Sequence, residues 1–353
     1  MKYFNAKVKK MKAFSILSAL FVMIFSNAQA QMQYSAPIAQ SSSVAEIARR
    51  NVVRCGTNLR IKSYAYEEDG VWHGIDADFC RVIAQAITGD MSKFEMIHIP
   101  SGTVTEALDS GKIDVMLSGT SYSAQMETSG QVLGIGPLYF DRQYVMVRND
   151  GSEDLAAYKD KKMCLSVDSG YQRHFEDFNI KHNLGIKYLT FGSVERAQEA
   201  FLLNRCPLFS ASGLMLQGLK LSRPKLEAHV LPVKISVQPM YAAVKYNNLD
   251  LQIALKWVFN ALFLAEQYNA KMTNLAFFAT NDDPELRNLF GDNPQLWRDL
   301  RLQPNWLRAV IGTLGNYGEI FERDLGKDSE FKLPRDAGKL LRDGGSIVPL
   351  PFI

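Results

Sequence analysis

The feature that most constrains the fold is a regular alternation of short apolar runs with helical stretches. Between residues 52 and 117 the strand-like runs are Val52–Thr57, Phe94–Ile99 and Ile113–Leu117, and the helix-like stretches are Phe79–Ile87 and Val104–Asp109. Strands and helices that alternate in this order are typical of α/β sheets, in which helices cover the faces of the sheet. The same alternation resumes at Lys162 and continues to Leu231. The sequence therefore predicts an α/β fold with two lobes.

Two further apolar runs are predicted to join these lobes. Gln143–Arg148 leaves the first lobe, and Met240–Lys245 returns to it ahead of a long helix at Leu249–Ala270. Two lobes joined by two crossing strands describe a hinged molecule that holds a ligand in the cleft between the lobes. We divide the chain into a signal peptide (1–30), a disordered lead (31–42), the first part of lobe 1 (43–142), lobe 2 (143–240), and a return to lobe 1 with a C-terminal extension (241–353).

The first 30 residues have the order of a secretory signal peptide. Five lysines precede or adjoin an apolar stretch at Phe14–Phe25, and Ala28-Gln29-Ala30 follows as a cleavage signal. The apolar stretch is shorter than the ~20 residues that a transmembrane helix requires, which argues against a membrane anchor. We expect cleavage after Ala30, export to the periplasm, and no membrane insertion of the mature chain.

The basic character of the chain is largely a property of this leader. The formal net charge is +3 for the whole chain and falls to −2 once the five leader lysines are removed. The remaining sequence has no cluster of lysine and arginine interleaved with aromatic residues, which is the pattern of nucleic-acid-binding surfaces. We therefore expect no nucleic-acid partner.

Four cysteines follow the leader, at positions 55, 80, 164 and 206. An even number of cysteines in an exported protein indicates disulfides, and four cysteines allow three connectivities. The spacing does not fit a CxxC redox or zinc motif. The pairing that places one bond in each lobe is Cys55–Cys80 with Cys164–Cys206, and we adopt it as a hypothesis.

A candidate binding element lies where the strand at Ile113–Leu117 ends. The residues that follow are Ser118, Gly119, Thr120 and Ser121, and a helix-like segment with Ser123 as a possible N-cap comes next. Backbone N–H groups at such a joint, together with the helix dipole, favour the negative end of a ligand. Gly119 would let a ligand approach the backbone closely. The same joint is also a common plain connection, so the local pattern leaves both interpretations open.

The sequence shows no pattern that indicates catalysis or a cofactor. The five histidines have neither metal-ligand nor triad spacing; they are His73, His98, His174, His182 and His229. We therefore predict a protein that is not an enzyme and that needs no metal or other cofactor.

Several motifs resemble those of the family 3 solute-binding proteins of ABC amino-acid importers, in particular the general L-amino-acid-binding periplasmic branch. The motifs are CGTN from Cys55, WHGIDADFCR from Trp72, DSGKIDV from Asp109, DDPELRNLFG from Asp282, NW from Asn305 and LGNYGEIFER from Leu314. The resemblance runs from about residue 44 to the C-terminus. It implies the two-lobed periplasmic binding protein fold of type II with a mostly helical C-terminal extension, and it supports both cysteine pairings.

The resemblance also implies a function. The chain would capture an amino acid or a related small polar solute between its lobes and deliver it to an inner-membrane ABC permease. Two alternatives remain. One is a degenerate binding protein with a sensing or structural role, and the other is a periplasmic dehydratase, an enzyme class that shares this fold. A dehydratase needs a bound carboxylate and a general acid in the cleft, and no suitable Glu or His is evident.

The sequence departs from the family pattern at two charged positions. In the family, an arginine on the helix after Ser121 binds the α-carboxylate of the ligand, and here Met126 takes that position. An aspartate of the second lobe usually holds the α-ammonium group, and here Ser212 takes that position. We expect free α-amino acids to bind weakly, since neither residue can pair with a charge.

The same alignment assigns a mostly polar lining to the cleft. Its residues are Tyr64, Ser118, Gly119, Ser121, Met126, Ser169, Gly170 and Ser212. Tyr66 is an alternative to Tyr64 for stacking on the ligand, and both tyrosines would equally suit a hairpin that only covers the core. Gln238 lies near the second crossing. Arg60 and Arg142 are candidates for a substitute cation.

Overall fold

The structure is a computed structural model that describes residues 43–57, 64–121, 124–128, 130–149, 152–167, 170–278, 283–290 and 294–352. Its strands are β1 (Val53–Thr57), β2 (Tyr66–Glu68), β3 (Val71–His73), β4 (Phe94–His98), β5 (Val115–Ser121), β6 (Val132–Arg148), β7 (Lys162–Ser166), β8 (Lys187–Phe191), β9 (Leu208–Ser212), β10 (Ala228–Val230) and β11 (Ser236–Lys245). β2 and β3 form a separate hairpin, and the other strands form one mixed sheet.

Within the described residues this sheet has the order β4-β1-β5-β11-β6-β9-β7-β8, with β10 beside β6. β4, β1 and β5 are parallel to one another, as are β8, β7 and β9. Parallel neighbours need crossover connections, which the alternating helices supply. β6 and β11 lie between the two parallel groups and pair antiparallel with each other. The predicted α/β architecture with two crossing strands is therefore confirmed.

The first crossing strand is longer than the sequence predicts, since β6 begins at Val132 rather than at Gln143. Its first part pairs with β11, from Val132 opposite Lys245 to Gln143 opposite Ser236. From Gln143 onward it pairs with β9 of the second parallel group. Pairing with two successive partners keeps the backbone of β6 extended through both lobes.

Helices cover the sheet and form most of the C-terminal extension. They are α1 (Ser43–Arg50), α2 (Ile75–Thr88), α3 (Val104–Asp109), α4 (Ala124–Thr128), α5 (Tyr171–Lys181), α6 (Val194–Leu202), α7 (Gly213–Ser222), α8 (Leu249–Gln267), α9 (Leu275–Phe278), α10 (Pro284–Phe290), α11 (Pro294–Asp299), α12 (Trp306–Thr313) and α13 (Tyr317–Asp324). No helix in the described part of the chain is both long and apolar enough to cross a membrane.

The predicted break after Leu117 is wrong, because β5 continues to Ser121. The extra residues pair with the second crossing strand, Thr120 opposite Tyr241 and Ser121 opposite Met240. Antiparallel pairing with β11 thus keeps a serine- and glycine-rich segment extended, although its composition alone suggests a loop. The helix that follows, α4, has only five residues, and Ser123 lies outside the described residues.

The C-terminal extension shares a hydrophobic core with lobe 1. Trp297, Trp306 and Phe352 are buried in the same cluster as Phe79 and Phe259. Trp306 has no measurable exposure, and burial of an aromatic side chain of this size stabilises the fold by more than most core contacts do. The extension is therefore part of the structure of lobe 1 rather than an appendage.

Both predicted disulfides are present, one in each half of the sheet. Cys55 on β1 is bonded to Cys80 on α2, and their Cα atoms lie 6.1 Å apart. Cys164 on β7 is bonded to Cys206, which precedes β9, with a Cα separation of 5.8 Å. All four residues are buried. Each bond thus links a central parallel strand to a segment that packs against it.

We predict that removing either disulfide destabilises the protein by a similar amount. The bonds close sequence separations of 25 and 42 residues, and the chain-entropy model assigns roughly 3–4 kcal/mol to each. Urea unfolding of the paired Cys→Ala variants should show these losses in the free energy of unfolding. Non-reducing peptide mapping should recover Cys55 with Cys80 and Cys164 with Cys206, and a peptide that joins the two halves would contradict the pairing.

Candidate functional site

The candidate site lies at the junction of the two parallel strand groups, where β6 and β11 cross. We call it the hinge cluster and define it by its buried polar residues, which are Tyr64, Asp76, Tyr139, Asp141, Tyr171, Ser212 and Gln238. They come from lobe 1, from the crossing strands and from the ends of β9 and α5 in lobe 2. Ligand sites occur preferentially between domains and carry a small number of precisely placed polar groups, so this cluster is the candidate site.

Tyr64 connects lobe 1 to lobe 2 directly. Its hydroxyl shares a 3.1 Å hydrogen bond with the Ser212 hydroxyl, and the Tyr64 side chain is 3% exposed. Ser212 also accepts a hydrogen bond from the backbone N–H of Met215 at 3.1 Å, so it is the N-cap of α7. The two predicted site residues are therefore brought together, and together they bridge the lobes.

A glycine holds the backbone of Tyr64 in place. Gly74 has a φ of +100°, and a Cβ atom built on it would lie 2.5 Å from the carbonyl oxygen of Tyr64. The same carbonyl accepts the backbone N–H of Asp76 at 3.0 Å, at the start of α2. Only glycine suits both the conformation and this close approach. Gly74 thus allows the residues that follow the β2–β3 hairpin to pack closely against the backbone of Tyr64.

Asp141 is the acidic residue of the crossing strands that faces the cluster. It lies on β6 and is 7% exposed. Its Oδ1 atom accepts the backbone N–H groups of Arg142 at 2.7 Å and of Leu214 at 3.4 Å. Its Oδ2 atom is buried and has no hydrogen-bond partner among the described residues. One carboxylate oxygen therefore stabilises the start of α7.

Burial raises the pKa values of Asp141 and of three tyrosines in this cluster. It raises the pKa of Asp141, although the nearby Ser212 hydroxyl and the backbone N–H groups of α7 act in the opposite direction. Burial also raises the pKa of Tyr64, Tyr139 and Tyr171 well above the ordinary tyrosine value, and the Asp141 carboxylate raises each of them further. The tyrosines are thus neutral at physiological pH, and burial disfavours an unpaired negative charge on Asp141.

Two glutamines complete the polar face of the crossing strands. Gln143 is fully engaged, since its Nε2 donates to the Tyr171 carbonyl and to the Ser210 hydroxyl, both at 2.9 Å. Gln238 lies directly opposite Asp141 in the β6–β11 register, and its Nε2 lies 3.1 Å from Nδ1 of His174. The Oε1 atom of Gln238 is buried without a hydrogen-bond partner in the described part of the chain.

Five of the other predicted site residues lie in the part of the chain that the structure describes. Ser118, Gly119 and Ser121 lie on β5, Met126 lies on the short helix α4, and Gly170 precedes α5 with a φ of +63°. Ser169 and Arg60 lie outside the described residues. The β5 register places Ser121 opposite Met240 of β11, within the strands that carry the hinge cluster.

Arg142, considered from sequence as a substitute cation, does not serve that role. Its guanidinium pairs with the carboxylate of Asp336 in the C-terminal extension. Successive residues of a strand point to opposite faces, so Arg142 lies on the face of β6 opposite to Asp141. This ion pair thus joins the C-terminal extension to β6.

Sequence reasoning missed Asp141 and Tyr139, although a signal for both was present. The segment YFDRQYVMV carries one acid, one arginine and one glutamine among aromatic and apolar residues. Strand alternation places Tyr139, Asp141 and Gln143 on one face, and all three are buried. An acid at an inward-facing position of a buried strand indicates a specific partner or a functional role, because an unpaired buried charge is destabilising.

The sequence matches the family described as Bacterial extracellular solute-binding proteins, family 3, over residues 53–292. This match includes both crossing strands and the whole hinge cluster. The chain belongs to this family. It is accordingly a solute-binding protein rather than an enzyme, as the sequence predicts.

Individual relatives agree with the family. The chain is 28% identical to the general L-amino acid-binding periplasmic protein AapJ of Rhizobium johnstonii, over 90% of this chain and 94% of the relative. It is 26% identical to the putative amino-acid ABC transporter-binding protein YhdW of Escherichia coli K12, over 85% of this chain and 89% of the relative.

A solved structure shares the fold over nearly the full length. It is an ABC transporter periplasmic binding protein from Brucella ovis with glutathione bound. Its TM-score with this chain is 0.81 at 26% sequence identity, and the match covers 89% of this chain and 100% of that one. The C-terminal extension therefore belongs to the shared architecture.

We predict that Tyr64 and Ser212 are energetically coupled. Tyr64→Phe should lower the free energy of unfolding by about 1–2 kcal/mol, because it removes a buried hydrogen bond and leaves the Ser212 hydroxyl with one partner fewer. In a double-mutant cycle with Ser212→Ala, measured by urea unfolding, the coupling should be about 0.5–1.5 kcal/mol. Tyr246→Phe, at a side chain that is 47% exposed, is the matched control. Strictly additive effects would show that the hydroxyls do not interact.

Proposed function

We propose that this protein is the periplasmic solute-binding component of an ABC importer and that it captures an amino acid or a small amino-acid-derived solute between its lobes. The observation that carries the proposal is the buried hinge cluster, in which Tyr64 and Ser212 bridge the two lobes at 3.1 Å. Family membership supports the general role. AapJ is described as a general L-amino acid-binding protein, and the Brucella ovis protein holds glutathione, which is itself built from amino acids.

The mechanism is a shift between open and closed arrangements of the lobes. A ligand that contacts both lobes stabilises the closed arrangement, because it loses half of its contacts when the lobes separate. Tyr64 of lobe 1 and Ser212 of lobe 2 are within hydrogen-bond distance, so this structure has the lobes in contact at the hinge. The closed form would then dock on an inner-membrane permease, which is the partner that the family implies.

The hinge cluster changes the expectation for the ligand. The positions Met126 and Ser212 offer no charge, and from these alone we expect weak binding of free amino acids. Asp141 lies beside Ser212 and supplies a carboxylate from the crossing strand instead. We therefore propose ligands with an amino group, and we propose that Ser118, Gly119, Ser121, Ser169 and Gly170 line the cleft around them.

We predict that an amine-bearing solute will raise the melting temperature of the purified mature protein. The screen would contain the L-amino acids, glutathione, short peptides, sugars and organic acids. A ligand present at 100 times its Kd contributes about 2.7 kcal/mol, which corresponds to roughly 4 °C for a protein of this size. Calorimetry would then give the affinity of each hit. Sugars and organic acids without an amine serve as the negative set, and no shift with any compound would favour a degenerate sensing or structural role.

We also predict that the chain is exported and cleaved. The lysine-rich start, the apolar stretch and the Ala28-Gln29-Ala30 signal support an N-terminus at Gln31 in the mature protein. Mass spectrometry of a periplasmic extract should find a peptide that begins at Gln31. A mature N-terminus within residues 1–20, or recovery in the membrane fraction, would contradict export as a soluble binding protein.

A further inference from the structure

Three buried oxygen atoms of the hinge cluster lack hydrogen-bond partners among the described residues. They are Oδ2 of Asp141, Oε1 of Gln238 and the hydroxyl oxygen of Tyr139. Buried polar atoms are nearly always hydrogen-bonded in folded proteins, so three such atoms in one place require an explanation. Each of them can accept a hydrogen bond.

The strand register places these atoms next to one another. Asp141 and Gln238 are directly opposed on the antiparallel strands β6 and β11, so their side chains leave the sheet on the same face. Tyr139 lies two residues before Asp141 on β6, opposite Met240, and therefore also points to that face. Three acceptors thus line one short stretch of the crossing strands, between Tyr64 of lobe 1 and Tyr171 of lobe 2.

The capping role of Asp141 does not account for its charge. Its Oδ1 atom accepts the N–H of Leu214 at the start of α7, and a neutral asparagine would do the same. The second oxygen and the negative charge are not used by this contact. Desolvating a carboxylate without a counterion destabilises the folded state, so the residue suits a site in which a ligand supplies the positive charge.

The three acceptors fit a ligand group that carries a positive charge and several hydrogen-bond donors. A primary ammonium group carries one positive charge and three N–H donors, which match one carboxylate oxygen and two neutral acceptors. A ligand carboxylate would meet the charges of Asp141 and Asp76, both of which act on the tyrosines of the cluster. A metal ion is a poorer fit, since no set of three or more His, Cys, Asp or Glu residues in the described ranges is arranged to hold one.

We propose that Asp141, Gln238 and Tyr139 form the subsite that binds the ammonium group of the ligand, on the crossing strands rather than on either lobe. This proposal rests on the proposed function. It gives the missing charge at Ser212 a physical explanation, because the carboxylate that pairs with the amine comes from the neighbouring strand β6. Ser212 then remains free to cap α7 and to bond Tyr64.

The position of the ammonium subsite on the crossing strands affects how the protein recognises its ligands. The crossing strands belong to both lobes, so an ammonium group held there would be bound before the lobes close. The rest of the ligand would then decide whether Tyr64 and Ser212 come together around it. Ligands that share an amine but differ in their side chains would therefore share one anchor.

The test compares ligands with and without a free amine on the unmodified protein. The probes are the L-amino acids and glutathione, each beside its N-acetylated counterpart, and calorimetry measures the affinity. We expect N-acetylation to weaken binding by at least about 30-fold, the loss typical of removing one partner of a buried charge pair. N-acetyl-L-arginine, which keeps its guanidinium group, distinguishes an ammonium site from a general cation site.

The matched variant is Asp141→Asn, which keeps the shape and the capping oxygen and removes the charge. We expect it to weaken binding of the free amines by at least about 30-fold, while the melting temperature of the unliganded protein stays the same or rises. A merely structural aspartate would instead lower the melting temperature and leave the preference for the amine intact. Asp336→Asn is the control, because it removes a charge of the C-terminal extension that pairs with Arg142 on the opposite face of β6 and should leave the affinity unchanged.

The outcomes separate this proposal from the proposed function. Binding that is equally strong for free and N-acetylated ligands would overturn the ammonium subsite and leave the solute-binding role standing. The ammonium subsite would also be overturned, and the solute-binding role would stand, if Asp141→Asn binds free amines as tightly as the unmodified protein. Equally tight binding of N-acetyl-L-arginine and arginine would have the same two consequences. If no probe binds at all, the proposed function fails, and the subsite fails with it.

Discussion

The antiparallel pairing of β6 with β11 is the interaction on which the rest of the molecule depends. Val132 to Gln143 pair with β11, and Gln143 to Val147 pair with β9, so one continuous strand serves both halves of the sheet. Backbone hydrogen bonds of a ladder cannot be left unmade in a buried sheet without a large desolvation penalty. The paired crossing strands, and with them the backbone positions of Tyr139, Asp141 and Gln238, are therefore set by backbone hydrogen bonds.

The two faces of β6 have different tasks because side chains of a strand alternate. On one face Asp141 meets α7, Ser212 and the tyrosines of the cleft. On the other face Arg142 pairs with Asp336 of the C-terminal extension. Leu214, at the start of α7, also packs into the core that lobe 1 shares with the extension. A rotation of lobe 2 about the crossing strands would thus disturb contacts on both faces.

A partly buried ion pair holds the extension against α8. Arg335 donates to both carboxylate oxygens of Glu266 on α8, and its guanidinium lies over the rings of Tyr317 and Phe321. A bidentate pair that is also stacked on aromatic rings is among the stronger arrangements of an arginine. The Tyr317 hydroxyl donates to the Leu138 carbonyl of β6 at 2.6 Å, which ties this assembly to the crossing strand.

The sequence by itself determined the α/β class, the two lobes and the crossing strands, because hydrophobic periodicity follows directly from the geometry of strands and helices. The helical extension was implied by the resemblance of its motifs to those of the family. The resemblance also singled out Tyr64 and Ser212, whose hydroxyls the structure brings together, and supported the cysteine pairing that the structure has. Only the tertiary structure decided that β5 runs on to Ser121, since that depends on pairing with β11. Likewise Asp141 became a candidate site residue only when β6, β11 and α7 met, because burial and partnering are properties of the assembled fold and not of a local pattern.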